Sequence, residues 1–196
     1  MKLGSRRGSF SLEQENYGGN VLKSEESALY REPMDDGAWQ QALATIRAGL
    51  SSLDDERISL LAHRIRDGIE WLDGLLSKYC DLTCPACEDV CCLGEKVFFN
   101  RTDLLYLAGL GGNIPLPSGQ TRTATAAPCR YLSRSGCLIP RTVRPYVCVW
   151  FLCAPQMVLF QEESPPRQRE LIRVFQDIRT NRLRLESLYE RHFPQP

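Results

Sequence analysis

The sequence predicts a mainly α-helical protein with a minor β component, in which amphipathic helices pack around a loop-rich, cysteine-rich core with a short hairpin. Three observations carry this prediction. Helical periodicity occupies both flanks of the middle segment, all nine cysteines lie between residues 80 and 153, and that segment is rich in turn-forming proline and glycine. With 196 residues and 43% hydrophobic content, the chain suits one domain with a real core.

The first 35 residues are predicted to be a disordered tail, because they show no sustained hydrophobic periodicity. Their "SRRGSF" stretch is similar to a twin-arginine export signal, but no apolar run follows it. No apolar stretch reaches the roughly 20 residues that span a bilayer. We therefore expect a cytoplasmic protein with no membrane partner, whose residues 36–196 form a single domain.

The balance of charged residues indicates which classes of binding partner to expect. Lys plus Arg and Asp plus Glu both total 24, so the formal net charge is zero. A general nucleic-acid binder would carry a basic excess, so we expect no nucleic-acid partner. No feature of the sequence points to a particular protein partner.

Two amphipathic helices are predicted between residues 36 and 79, as a helical pair that leads into the cysteines. The first carries apolar residues at helical spacing: Trp39, Ala42, Leu43, Ile46 and Leu50. The second has one apolar face formed by Ile58, Leu61, Ile65, Ile69, Leu72, Leu76 and Tyr79. Ser52 followed by Asp55 resembles a capping box between them, and we expect the two helices to pack antiparallel.

Shorter elements are predicted in the cysteine-rich segment, residues 80–155. "EKVFFN" (95–100) is typical of a strand, and "RTDLLYLAGL" of a helix capped by Thr102 or Asp103. "CRYLSRSGCLI" (129–139) predicts a hairpin that turns at "SRSG". After it, residues 165–192 predict a C-terminal amphipathic helix that packs on the first two.

The cysteine spacing requires a site assembled from distant segments. In a helix, Cys84, Cys87 and Cys91 would share one face and Cys92 would point about 100° away. Pro85 fits such a helix only in its first turn, which predicts a loop that enters a helix. The other thiols are Cys129 and Cys137, which flank the hairpin, and Cys148 and Cys153. No segment offers four well-spaced ligands, and both histidines lie outside this region.

Metal ligation is the favoured interpretation of these cysteines. A disulfide scaffold is disfavoured because cytosolic thiols are normally kept reduced, and unligated burial because the spacing is so tight. Soft thiolates select zinc, cuprous copper or iron–sulfur clusters, and eight thiols could serve one site or two. An apolar and aromatic surrounding and the absence of nearby histidine favour an iron–sulfur cluster over zinc. Cys80, near the end of the second helix, is predicted to be a packing thiol.

A family resemblance rests on three pieces of sequence. They are "CPACEDVCC" (84–92), "CRYLSRSGCLIPRTVRPYVC" (129–148) and "CVWFLC" (148–153), with "FFNRTDLLYLAGL" between the first two. Together they resemble the YkgJ-type CxxCxxCC zinc- or iron-chelating domain, whose longer relatives include the bacterial flagellin lysine N-methylases. This chain departs from the pattern by having three residues between Cys87 and Cys91. The resemblance implies metal-site roles for Cys84, Cys87, Cys91, Cys92, Cys129, Cys137, Cys148 and Cys153.

Two further hypotheses concern activity. Arg144, beside the thiols, is a candidate cofactor-binding residue that could tune a cluster or hold an anionic substrate. A metal-dependent, methylase-like modifying enzyme would have an open pocket lined by Arg144 or Tyr146. A thiol redox or metal-handling module would use the CxxC spacing of Cys84 and Cys87. The glycines of "GLGGN" (109–113) follow a predicted helix rather than a strand, which disfavours a nucleotide-binding loop.

Overall fold

A computed structural model describes residues 36–53, 56–85, 87, 90–93, 97–111, 116–117, 119 and 127–193. Its helices are α1 (Asp36–Leu53), α2 (Glu56–Thr83), α3 (Arg101–Gly109), α4 (Val147–Trp150), α5 (Ala154–Glu162) and α6 (Pro165–His192). Strands β1 (Leu132–Ser133) and β2 (Gly136–Cys137) form a two-stranded antiparallel sheet, followed by a 3-10 turn at Arg141–Val143. The predicted mainly α fold with minor β is confirmed. The predicted tail, residues 1–35, lies outside the described residues.

The long helices α2 and α6 form the central packing of the fold. All seven apolar residues predicted for one face of α2 are buried. The two helices approach closely at Gly68, where an added Cβ would lie 2.7 Å from Ile178 Cγ1. The expected packing of the C-terminal helix on α2 is therefore confirmed.

Helix α1 packs mainly on α3 rather than on α2. The predicted antiparallel pair of α1 and α2 is therefore not the main contact of either helix. Ser52, expected to cap α2, instead lies inside α1, where its Oγ donates to Gly49 O over 2.7 Å. Asp55, its predicted capping partner, lies outside the described residues. Contiguity along the chain misled this prediction, because each helix buries its apolar face against a more distant element.

Helix α3 begins one residue before the predicted cap. Asn100 is the N-cap: its side chain accepts from the Asp103 N–H, and the Asp103 carboxylate accepts from the Asn100 N–H, both over 2.9 Å. Residues 97–100 are not a strand, in contrast to the sequence prediction for 95–100; residues 95 and 96 lie outside the described part of the chain. Phe99 is instead fully buried against Trp39, with ring centroids 5.9 Å apart.

The hairpin is confirmed, whereas the predicted helix at the first cysteines is wrong. Leu132 pairs with Cys137 and Ser133 with Gly136, which leaves a two-residue turn inside the predicted "SRSG". Gly136 has φ 106°, a conformation that favours glycine. Helix α2 ends at Thr83, and the described residues from 84 to 92 have no helical structure. The described thiols of this stretch are therefore positioned by irregular backbone and not by one face of a helix.

Candidate functional site

A cavity of about 480 Å³ lies where the end of α2, the first cysteine segment, the hairpin and residues 139–156 meet. Its walls are mostly apolar, with contributions from Leu76, Val97, Ile139, Val149 and Leu152. Eight of the nine cysteines also line it: Cys80, Cys84, Cys91, Cys92, Cys129, Cys137, Cys148 and Cys153. All nine cysteines lie among the described residues, and no disulfide joins any of them.

The lining differs from the sequence-derived set of ligand candidates at two positions. Seven of the eight candidates line the cavity, but Cys87 does not. Cys80, predicted to be a packing thiol, does line it. A signal for Cys80 was present in the sequence: it follows Leu72 and Leu76 at four-residue spacing, which places it on the buried face of α2.

Four of the lining thiols form what we call the hairpin group: Cys92, Cys129, Cys137 and Cys148. Burial and the neighbouring charges of Cys137 and Cys129 raise the pKa of the Cys148 thiol to about 12. Hydrogen bonding to Cys91, then burial, raise the pKa of Cys92, with contributions from Cys148 and Cys129. Backbone ties the group together, because the Cys129 N–H donates to Cys92 O over 2.8 Å.

The remaining thiols form what we call the helix-end group: Cys80, Cys84, Cys87, Cys91 and Cys153. Burial, followed by the charges of Cys80 and Cys91, raises the pKa of Cys84 to about 11. Burial also raises the pKa of Cys153, with added effects from Cys91 and Cys87. The adjacent residues Cys91 and Cys92 thus join the two groups.

Backbone N–H groups point at two of the sulfurs. The Cys129 sulfur accepts from the N–H groups of Tyr131 and Leu132, which oppose the effect of burial on its pKa. The Cys153 sulfur accepts from the Gln156 N–H at the N-terminus of α5. Donors of this kind stabilise a thiolate and orient a metal ligand.

Two arginines lie in the cavity wall. Arg144 donates from Nε to Ile139 O over 2.9 Å, and its charge opposes the burial that raises the pKa of Cys148. Arg141 is buried and donates from Nε to Asp73 Oδ1 over 2.7 Å. Tyr146, expected in an open pocket, does not line this cavity; its ring packs 4.3 Å from the Arg182 guanidinium.

A buried ion pair holds the segment that carries Cys148. Arg182 Nη2 lies 2.8 Å from Asp103 Oδ1, and both side chains are buried. The same Asp103 oxygen accepts from the Tyr146 N–H over 3.1 Å, at the start of α4. Charged residues of α3 and α6 thus anchor the helix of Cys148, a contact that their sequence pattern did not indicate.

The thiols share a cavity without closing on one point. Among the described residues, no group of three or more Cys, His, Asp or Glu side chains is arranged so that it could hold a metal ion. The close cysteine pairs are nevertheless compatible with metal binding. None of the helices in the described part of the chain combines the length and apolar character needed to cross a bilayer.

Comparison with known proteins adds no relative: no family model, no curated protein and no solved structure matches this chain.

Proposed function

We propose that this chain is a cysteine-ligated metal-binding protein of the YkgJ type, and that it holds an iron–sulfur cluster. The observation that carries the proposal is the convergence of eight cysteines, none of them in a disulfide and from distant parts of the chain, on one cavity. Thiolates are the ligands that such clusters take. The ligand candidates are the eight cysteines indicated by the sequence.

The cavity favours a cluster over a single zinc ion. Four thiolates close directly around a zinc ion, at Zn–S distances of about 2.3 Å, and leave no space between them. A cavity of about 480 Å³ with mostly apolar walls instead offers room for a larger inorganic group. The N–H groups at Cys129 and Cys153 would hydrogen-bond to its ligands, an interaction that adjusts reduction potential. A bound cluster supplies one-electron transfer.

The test is anaerobic purification followed by analysis of iron, zinc and acid-labile sulfide, together with visible absorption. We expect a brown protein with iron and sulfide in equal amounts. Colourless protein with stoichiometric zinc would reject the cluster and retain a cysteine-ligated metal protein. Neither metal, together with reactive thiols in the folded protein, would overturn the whole proposal.

A matched pair of variants locates the ligands. Cys148→Ser removes a half-buried thiol of the hairpin group and should reduce metal content. Ser187→Ala, on the exposed face of α6, is the control and should leave metal content unchanged. Equal metal content in both variants would argue against Cys148 as a ligand.

Arg144 is proposed to adjust the cluster's potential. A positive charge near the ligands stabilises the more negative, reduced state, so Arg144→Gln should lower the reduction potential without changing the iron content. Unchanged potential and unchanged metal content would reject this role.

A further inference from the structure

The sulfur of Cys80 is the meeting point of two buried polar side chains. Gln156 Nε2 lies 3.5 Å from Cys80 Sγ, and Arg141 Nη2 lies 3.9 Å from it. Arg141 is 5% exposed and Gln156 is 7% exposed, so neither side chain is satisfied by bulk water. Burying such groups is costly unless each has a partner, which makes the Cys80 sulfur part of a built arrangement.

Both donors are fixed in place by other contacts. Arg141 donates from Nε to Asp73 Oδ1 over 2.7 Å and from Nη1 to Cys148 O over 3.4 Å. Its Nη2, the nitrogen near Cys80, also donates to Ser77 Oγ over 3.4 Å. Gln156 Oε1 accepts from the Cys153 N–H over 3.4 Å, so its Nε2 is the group directed at Cys80. Each donor therefore connects Cys80 to a segment that carries another cavity-lining cysteine.

The direction of these hydrogen bonds determines what the sulfur does. Guanidinium and amide nitrogens donate and do not accept. The Cys80 sulfur must therefore accept from both, and a thiolate accepts far more strongly than a neutral thiol. A thiol that only filled space in the helix packing would need neither donor.

We propose that Cys80 is a metal-binding thiolate of the helix-end group, with Arg141 and Gln156 as its positioning residues. This inference rests on the proposed function and changes its ligand set. The cavity-lining thiols then divide into two sets of four: Cys80, Cys84, Cys91 and Cys153, and the hairpin group. When a metal ion binds, the Cys80 proton leaves to solvent and the sulfur lone pair forms the bond to the metal.

The experiment uses cobalt(II) loaded anaerobically into the full chain, because the intensity of its sulfur-to-metal charge-transfer band reports the number of bound thiolates. We expect Cys80→Ser to weaken this band by the loss of one thiolate. Ser187→Ala, on the exposed face of α6, is the control and should leave the band unchanged. An unchanged band and unchanged cobalt affinity in Cys80→Ser would overturn the inference.

A separate variant tests whether Gln156 positions the Cys80 sulfur. Gln156→Glu replaces the donor at Cys80 with a carboxylate, and should lower cobalt affinity about 10- to 100-fold and shift the charge-transfer band. A variant with the same affinity and the same band position would reject the positioning role. Far-UV circular dichroism verifies that the helices remain folded.

Alkylation of the wild-type protein tests Cys80 without any substitution. Iodoacetamide modification, located by mass spectrometry, should reach Cys80 in metal-free protein and be blocked after cobalt loading. Equal modification with and without cobalt would contradict ligation by Cys80. If wild-type protein binds no cobalt, zinc or iron at all, the proposed function fails; if it binds metal and Cys80→Ser is unchanged, only this inference fails.

Discussion

The helical frame, α1 to α3 with α6, and the cysteine segment, residues 84–93 and 127–156, are stabilised in different ways. The frame buries large apolar side chains completely, among them Ile65, Leu72, Leu104 and Leu185. In the cysteine segment the strands have two residues each and α4 has four. The segment adds Val143 and Val149 to the buried core, and most of its thiols line a cavity. Apolar burial stabilises the frame, and under the proposed function a bound metal would add much of the stability of the segment.

Metal removal should produce the largest contrast between the two regions. Apparent binding free energies of structural metal sites in small domains reach about 10–16 kcal/mol. Chelation should therefore abolish the hydrogen-exchange protection of the hairpin and α4, and leave α2 and α6 protected. Hydrogen exchange with mass spectrometry measures both regions in one sample. Equal protection of the hairpin before and after chelation would contradict the contrast.

The second largest effect is expected at the buried ion pair of Asp103 and Arg182, which lies between the two regions. Asp103→Asn leaves the buried Arg182 without its counter-charge and weakens the acceptor for the Tyr146 N–H. Breaking a buried pair costs about 3–5 kcal/mol, and the retained amide oxygen places this variant near the lower end. We expect lower unfolding stability together with reduced metal content, because α4 carries Cys148. Reduced stability with normal metal content would show that Asp103 supports the frame alone.

A core truncation tests the frame by itself. Leu72 is fully buried, and Leu72→Ala should reduce the free energy of unfolding by about 3 kcal/mol. Urea denaturation should give the same loss in metal-loaded and chelated protein, since the side chain packs within the frame. A loss that depends on metal would mean that the two regions do not behave separately.

The frame could be predicted from the sequence because its signal is local. The face of α2 is set by the spacing of its own residues, and each of them is buried as predicted. The pairing of helices could not be predicted in this way, because α1 on α3 is a contact between distant parts of the chain. The Asn100 cap was missed because Thr102 and Asp103 are also good capping residues.

The candidate site was predictable as a set of thiols, but not as an arrangement. Cysteine spacing indicated three contributing segments, and seven of the candidates do share the cavity. The environment of Cys80 depends on Arg141 and Gln156, which lie 61 and 76 positions along the chain. No spacing rule connects residues so far apart, so the donors at this sulfur are visible only in the folded chain.

Asp73 offers a smaller effect at the border between the regions, with a defined pH dependence. Burial raises its pKa, but hydrogen bonds from Arg141 and Ser77 outweigh burial and hold the pKa below its ordinary value. A carboxyl with a lowered folded pKa stabilises the fold above its unfolded pKa, about 3.9, and this contribution is lost as pH falls through the folded value.

Asp73→Asn should therefore cost about 1 kcal/mol at neutral pH, a modest figure because the carboxylate is about half exposed and screened by solvent. The difference between variant and wild type should shrink below about pH 4. Denaturation across a pH series checks this sign. A difference that grows on acidification would show that the ion pair with Arg141 is not its source.

The smallest effect belongs to the exposed surface of the frame. Arg173 and Asp177 are four residues apart on α6, with Arg173 Nη1 2.9 Å from Asp177 Oδ2 and both side chains more than half exposed. Such a pair contributes about 0.3–0.5 kcal/mol and weakens with salt. Asp177→Ala should therefore reduce the free energy of unfolding by only that amount in low salt and by less in 1 M NaCl. Its metal content should be unchanged. The comparison with Asp73→Asn distinguishes a carboxylate that binds a cavity arginine from one on an exposed helix surface. Equal losses of unfolding free energy in the two variants at neutral pH would show that the Asp73–Arg141 contact stabilises the fold no more than a surface pair does.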